Sequence, residues 1–387
     1  MIRTYKRKLC LTVAQTKRLE SWIGTARMLY NLGMEVKIAA YKANGSTVTK
    51  YDLGKQITQL KKDYSWIADL PVSVTESVFS QLDNSFNRFF RTAKTGGGFP
   101  KYASKRKYKS IKLKQSSGVI RIDGHHLNLQ KIGTVRLVKD APIQGDIFDV
   151  TIKVEPTGMF AFIGCKNVPP QFVSENQAIG LDMGISKFCI DSNGGFIENP
   201  QHFKRYERQL RIENRALARK KKGSNSWKKQ SKRLSLLHHK IGNVRRDFLH
   251  KESTKIAKAN SVVYLEDLKI VNMARNGNLS KHILDAGWGA FRTILDYKTN
   301  VFRVNPKHTS QTCHECGHVD SKSRISQAEF VCTECGHISN ADVNAAKNIL
   351  SKGIALDRKR EPIGCALVLE PTNNGKSAYQ SISFYNY

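Results

Sequence analysis

The sequence predicts a multidomain α+β chain, and three observations carry the prediction. Two short, strongly apolar segments, 178–183 and 261–268, each run into an acid near their end, Asp182 and Glu266. A long, very basic stretch with helical spacing separates them, and two Cys-x-x-Cys pairs followed by an Ala/Asn-rich helix headed by Asp342 come after them. Ahead of all this, residues 1–176 combine a helical region with a series of short alternating β segments. A length of 387 residues leaves room for two or three domains, and a hydrophobic fraction of 40% is enough for real cores.

Charge narrows the partners. Lys and Arg number 64 against 32 Asp and Glu, a net charge of +32. Such an excess repels itself in a compact fold unless a polyanion neutralises it. Nucleic acid is the first candidate and an anionic membrane the second. No apolar run approaches the roughly 18 residues of a spanning helix, and the N-terminal MIRTYKRKLCLTVAQ lacks the apolar centre of a signal peptide. Outside the two pairs, Cys10, Cys165, Cys189 and Cys365 are scattered. They read as reduced thiols, which implies a reducing, cytosolic compartment.

In chain order, Ile2–Leu11 alternates and predicts a strand. Thr12 with Gln15 forms a capping-box pattern that opens a helix running to about Tyr41, where Asn44-Gly45 turns the chain. Val78, Leu82, Phe86, Phe89 and Phe90 make one apolar stripe ahead of Arg91, which predicts the core face of a second helix. After a Gly-rich break, residues 101–114 carry seven basic side chains, two tyrosines and no acid. Lys101, Lys105, Arg106 and Lys107 are therefore candidate phosphate contacts, with the interleaved aromatics suited to stacking. The segments VIRI, HLNL, TVRLV, FDVTIKV and MFAFIG predict a small barrel-like β unit that the first strand could join.

Residues 165–178, with Pro169-Pro170, read as a linker. Asp182 then ends a strand that continues through Lys187–Asp191 and Phe196–Glu198 as a three-stranded meander. Residues 203–251 hold 17 Lys/Arg against 3 Asp/Glu. Leu210, Leu217, Leu234, Leu237 and Ile241 recur at helical spacing, and 223–226 marks a joint, so the stretch predicts a helical hairpin. Its candidate nucleic-acid contacts are Lys220, Lys221, Lys222, Lys228, Lys229, Lys232 and Arg233. A separate helix over about 248–259 follows, then the strand ending in Glu266. Asp267 points the other way in an extended chain and reads as a cap or surface residue. A helix containing Trp288, Phe291, Ile294 and Leu295 leads to a last strand, 300–304.

Cys313, Cys316, Cys332 and Cys335 form two knuckles, with 15 residues between Cys316 and Cys332. Four thiolates make the tetrahedral shell of one structural zinc ion. Gly317 and Gly336 follow each knuckle and permit the positive φ such turns need. With the shell filled, His314, His318 and His337 read as bystanders. The order of three meander strands, helix, strand, strand, helix is that of an RNase H-like α/β core with the zinc ribbon inserted before its last helix. In that order Asp182, Glu266 and Asp342 converge on one sheet edge. Clustered carboxylates are stable only with cations between them. Two Mg²⁺ ions about 4 Å apart can activate water and stabilise a leaving oxygen in phosphodiester cleavage.

These motifs, GLDMGISKFCIDSNG, VVYLEDL and the ribbon followed by ADVNAAKNIL, resemble the TnpB (OrfB) family of insertion-sequence proteins, RNA-guided DNA nucleases related to type V CRISPR effectors. The resemblance spans residues 1–352. It implies that Asp182, Glu266 and Asp342 are RuvC-like catalytic acids. It also implies an N-terminal wedge-type β-barrel (1–11 and 95–176) carrying an inserted helical recognition lobe (12–94). The nuclease core would be 177–304 with 341–360, the ribbon 305–340, and 361–387 a tail without clear pattern. It implies a guide RNA and single- and double-stranded DNA as partners, a short flanking DNA motif, a monomer on its RNA, and a bacterial or archaeal cytoplasm near the nucleoid. Many family members carry Arg before the last acid where this chain has Ala341, which leaves one contact around Asp342 open. A compact CRISPR effector, a DNA transposase of the DDE type and a non-cleaving DNA-binding regulator are the rival readings.

Overall fold

The computed structural model describes residues 2–115, 120–169, 171–172, 178–275 and 280–360. Val119 of the first β segment, Pro170 and 173–177 of the linker, Cys365 and the 361–387 tail lie outside them.

Strand β1 (Arg3–Cys10) alternates, burying Tyr5, Arg7 and Leu9. The Thr12–Gln15 capping box is formed and starts α1 (Val13–Asn44), which ends at Gly45 with φ 70°. Helix α1 buries Leu19, Trp22, Ala26, Leu29 and Met34. Two helices follow that the sequence reasoning missed, α2 (Lys50–Asp63), opened by a Thr49–Asp52 capping box, and α3 (Ser65–Ala68). Their apolar signal is weak: α2 buries only Leu53 and Ile57. Helix α4 (Val72–Thr92) packs on α1 through Val74, Val78, Phe79 and Leu82. The expected core stripe holds only over its first half, because Phe90 is 65% exposed. Beyond the packed turns, Phe86 and Phe89 gather on Phe99, with ring centres 5.6 and 5.2 Å away.

Six strands complete this part: β2 (Ser110–Lys114), β3 (Ile120–Asp123), β4 (His126–Leu129), β5 (Gly133–Leu137), β6 (Asp146–Glu155) and β7 (Gly158–Lys166). With β1 they form one seven-stranded sheet in the order β2-β6-β7-β1-β5-β4-β3. Strand β1 does join the β unit, and it links two halves: Arg3–Lys8 pair with β7, Leu9 and Cys10 with β5. Strand β3 returns towards β6, so the sheet curls on itself. The expected linker begins later than residue 165, since Cys165 and Lys166 still belong to β7.

The second part opens with the meander β8 (Ile179–Met183), β9 (Lys187–Asp191) and β10 (Phe196–Glu198). Helices α5 (His202–Ala218) and α6 (Asn225–Ala259) form the hairpin, jointed at Gly223 (φ 89°) and capped by Ser224. Leu210, Leu237 and Ile241 make its buried seam. The separate helix expected over 248–259 is a correction: α6 runs unbroken for 35 residues. No proline interrupts it, and Gly242 alone does not break a helix held by packing at both ends. Strand β11 (Val262–Glu266) is followed by α7 (Ile270–Met273), α8 (Ser280–Ala286), α9 (Trp288–Asp296) and β12 (Asn300–Val304). The short pair β13 (Glu329–Val331) and β14 (Ile338–Asn340) precedes α10 (Ala341–Arg360).

The sheet order is β10-β9-β8-β11-β12, with β8, β11 and β12 parallel. Side chains alternate between its faces. Ile179, Leu181, Val263 and Leu265 pack under α6 and α9 with Leu249, Phe291 and Leu295. On the other face Tyr264 and Val304 meet Ile349 of α10. Gly180 makes that second layer possible: a Cβ there would lie 2.2 Å from the Ala346 carbonyl oxygen. The backbone of α10 therefore rests directly on the central strand.

Candidate active site and metal centre

Register brings the first two acids together. Strands β8 and β11 are parallel neighbours with Leu181 opposite Leu265, so Asp182 and Glu266, each one residue further on, end side by side. Two-residue alternation puts both on the face that carries α10. Ala346 sits over Gly180. One helical turn back from it, Asp342 stands over Asp182, because four helical residues (about 6 Å) match two extended ones (about 6.6 Å). The Asn340 side chain accepts from the backbone N–H groups of Asp342 and Val343, at 3.0 and 3.2 Å, and so fixes the first turn of the helix.

The three half-buried carboxylates repel one another. Burial, then the Glu266 and Asp342 charges, push Asp182 up to about 7, against the opposing pull of Arg324. Burial also raises Glu266, which the Thr309 hydroxyl and the Lys352 charge partly offset. Arg324 reaches in from the ribbon segment, its Nη2 2.9 Å from Asp342 Oδ1. A cleft of about 250 Å³ opens on Asp182, Asp342, Arg324, Gln327, Lys187 and Trp288. Asp182 and Asp342 line this cleft and Glu266 does not, and the three acids do not bring one oxygen each within 4.8 Å of one another. An oxygen-only set of this kind is the donor type of hard divalent cations such as Mg²⁺. Asp267, as expected, faces outward and pairs with Arg292 at 3.3 Å.

Sequence reasoning missed Arg324, Thr309 and Lys352. Each lies far from the acid it meets in the chain, and no local pattern marks it. Ala341 is fully buried against Cys313, Phe330 and Cys332. The guanidinium that faces Asp342 comes instead from Arg324.

The four knuckle cysteines converge, with Cys313 Sγ 3.8 Å from Cys335 Sγ and Cys316 Sγ 3.6 Å from Cys332 Sγ. All four sulfurs lie within 4.8 Å of one another. A tetrahedral Zn–S shell at about 2.3 Å requires S···S separations of roughly 3.8 Å, so the donors fit zinc. Gly317 and Gly336 take φ 77° and 69° as expected. His314 stays outside this shell; its ring meets His337 at 4.7 Å and its Nδ1 lies 3.0 Å from Asn344 Oδ1.

The basic candidates fall in two places. Lys101, Lys105, Arg106 and Lys107 are exposed in the irregular stretch before β2. Tyr102 beside them is exposed, but Tyr108 is not a stacking surface: it packs against Tyr30, and burial pushes its hydroxyl up to about 12. Lys220, Lys221, Lys222, Lys228, Lys229, Lys232 and Arg233 crowd the tip of the α5–α6 hairpin, all exposed except the half-buried Lys220. No helix among the described residues is long and apolar enough to cross a membrane.

Comparison with known proteins gives three matches to family models. Residues 151–277 match OrfB IS605, described as a probable transposase, and 288–349 match the Cas12f1-like TNB domain. Residues 1–46 match the OrfB IS605 helix-turn-helix domain, although here they form one strand and one long continuous helix. The chain is 28% identical to "Putative RNA-guided DNA endonuclease InsQ" of Escherichia coli K12, over 92% of this chain and 94% of that protein. It is 29% identical to a protein of the same description from Streptomyces pristinaespiralis, over 91% and 90%. Among solved structures it resembles Cas12f1 in a cryo-EM complex with sgRNA and target DNA, at TM-score 0.50 and 14% identity over 87% of this chain and 83% of that one. The last is a likeness of fold.

Proposed function

We propose that this chain, a relative of the OrfB/TnpB and Cas12f1 proteins it matches, is an RNA-guided DNA endonuclease. The observation that carries the reading is the convergence of Asp182, Glu266 and Asp342, from two strands and a helix, on one sheet edge beside a cleft. The sheet order, with the meander first and α10 laid across the parallel strands, supports an RNase H-like, RuvC-like core over 177–304 and 341–360. The curled sheet around β1, with α1–α4 inserted after it, supports a wedge-type barrel (1–11 and 95–176) carrying a recognition lobe (12–94). The ribbon would span 305–340.

In this reading the three carboxylates would hold two Mg²⁺ ions, which would supply activation of a water and stabilisation of the leaving oxygen of a phosphodiester. The residues themselves do the rest. Arg324 restrains Asp342 and offers positive charge at the cleft, where a scissile phosphate would lie. The ribbon takes one structural zinc on its four cysteines. Lys and Arg at the hairpin tip and before β2 grip phosphates, which positions nucleic acid without reading its sequence. Target choice then falls to base pairing with a bound guide RNA, one chain per RNA, while the N-terminal part reads a short flanking motif.

The test is to purify the chain with its RNA, supply Mg²⁺ and target DNA, change the guide segment and map the cuts. Cuts that follow the new guide support the reading. Cuts that stay at the old site refute it and favour a transposase reading DNA directly.

A further inference from the structure

Helix α10 does more than present Asp342. Its side chains at 344, 348 and 352, spaced four residues apart and so aligned on one face, clamp the loop that joins β12 to the first zinc ligand. Asn344 is fully buried, and Asn348 is 5% exposed. Asn348 Nδ2 donates to the carbonyls of Thr309 (2.9 Å) and Thr312 (2.6 Å). Asn344 Nδ2 donates to Thr312 O (2.8 Å), while its Oδ1 accepts from the backbone N–H of His314 (3.0 Å). Lys352 Nζ donates to Lys307 O (2.6 Å). These side chains give the carbonyls of Lys307, Thr309 and Thr312 their hydrogen bonds, and so hold the loop in place on α10.

That position serves a single side chain. Thr309 is 3% exposed, and its hydroxyl donates to Glu266 Oε1. The hydroxyl has one proton and two acceptors in reach, the other being Pro306 O at 2.9 Å. A charged carboxylate is the stronger acceptor, so the proton goes to Glu266. This fixes one carboxylate oxygen and leaves the other for a cation. Cys313 directly follows Thr312, so the same clamp ends on the zinc knuckle.

We propose that Thr309 is a positioning residue for Glu266, held in register by Asn344, Asn348 and Lys352 of α10. Cation affinity at the acid cluster then depends on a loop outside the sheet. The inference rests on Glu266 being a metal ligand, as argued under the proposed function.

The experiment titrates Mn²⁺ into the full-length protein and reads bound ion by electron paramagnetic resonance, with zinc content measured on each sample. Thr309→Val keeps the shape and removes the donor. It should weaken Mn²⁺ binding about tenfold, the usual scale for losing a group that orients a metal ligand, with zinc content unchanged. Thr309→Ser restores the hydroxyl and should return affinity to the wild-type value. Asn348→Leu should shift affinity in the same direction as Thr309→Val. Glu266→Gln serves as the reference. If Glu266→Gln weakens binding but Thr309→Val binds as wild type, the positioning role is overturned while the acid site stands. If neither variant weakens binding, both fall. A loss in Thr309→Val that Ser does not restore overturns the hydrogen bond as the cause.

Discussion

The zinc ribbon and the acid cluster are both candidate metal sites, and they are built in opposite ways. Each knuckle closes within four residues, so two short turns deliver all four sulfurs, with 15 residues that include β13 between them. The acids come from positions 182, 266 and 342, and nothing local holds them together. Their proximity is made by a parallel ladder and by the seat of α10 on Gly180. The ribbon's donors gain from their ion, whereas the fold buries the acids beside one another, and burial first, then the neighbouring charges, raise Asp182. A site of local origin should therefore fail with its metal, and one of tertiary origin should outlast it.

The largest effect expected is on catalysis. Asp182→Ala, Glu266→Ala or Asp342→Ala should each reduce DNA cleavage to background while RNA binding and zinc content stay at wild-type levels. Asp182→Asn should also raise the melting temperature of protein stripped of divalent ions, since it removes a carboxylate that burial and then the other two acids disfavour. A Cys332→Ser variant should break the comparison from the other side. Structural zinc contributes on the order of 10 kcal/mol to such a unit, so elemental analysis should show zinc lost and limited proteolysis should cut within 305–340. Cleavage should fall too, because Arg324 and the Thr309 loop lose their support. Retained zinc would show that the four thiolates are not its shell.

Gly180→Ala sharpens the contrast. The new methyl meets the backbone of α10, so the helix must shift, at about 1–3 kcal/mol. Melting temperature and cleavage should drop with zinc unchanged; a variant as stable as wild type would mean that α10 is not seated where Gly180 places it. The smallest effect is spread over the surface. Neutralising Lys221, Lys222, Lys228 and Lys229 should weaken RNA binding and flatten its salt dependence, by roughly 0.7–0.9 in log–log slope for each phosphate left without its cation. A filter-binding series in rising salt measures this, and an unchanged slope would place the nucleic acid elsewhere.

Legibility followed the same division. The capping box at Thr12, the glycines after each knuckle and, of the expected hairpin seam, Leu210, Leu234, Leu237 and Ile241 but not Leu217 are local signals that appear in the structure. Helix α2 carries local signals too, the Thr49–Asp52 capping box and Leu53 and Ile57 at helical spacing, and the sequence reasoning missed them. The unbroken run of α6 is not local in that sense: it packs on α5 and on α9, so the break expected before 248 does not exist. The aromatic end of α4 misled for a similar reason, because spacing shows which residues share a face but not whether anything covers it.

The four-thiolate site, the alternation that buries the strands, the excess of positive charge and the identity of three acids at element ends could all be read from the chain before it was folded. These depend on residues a few positions apart, or on composition, and both are written directly in the order of amino acids. What surrounds the acids was settled by folding alone. Arg324 reaches Asp342 across 18 residues and Thr309 reaches Glu266 across 43. Asn348 meets its carbonyls across 39 and 36. Contacts of that span leave no periodicity to read, because they exist only once the sheet has fixed the strand order and α10 has settled on it.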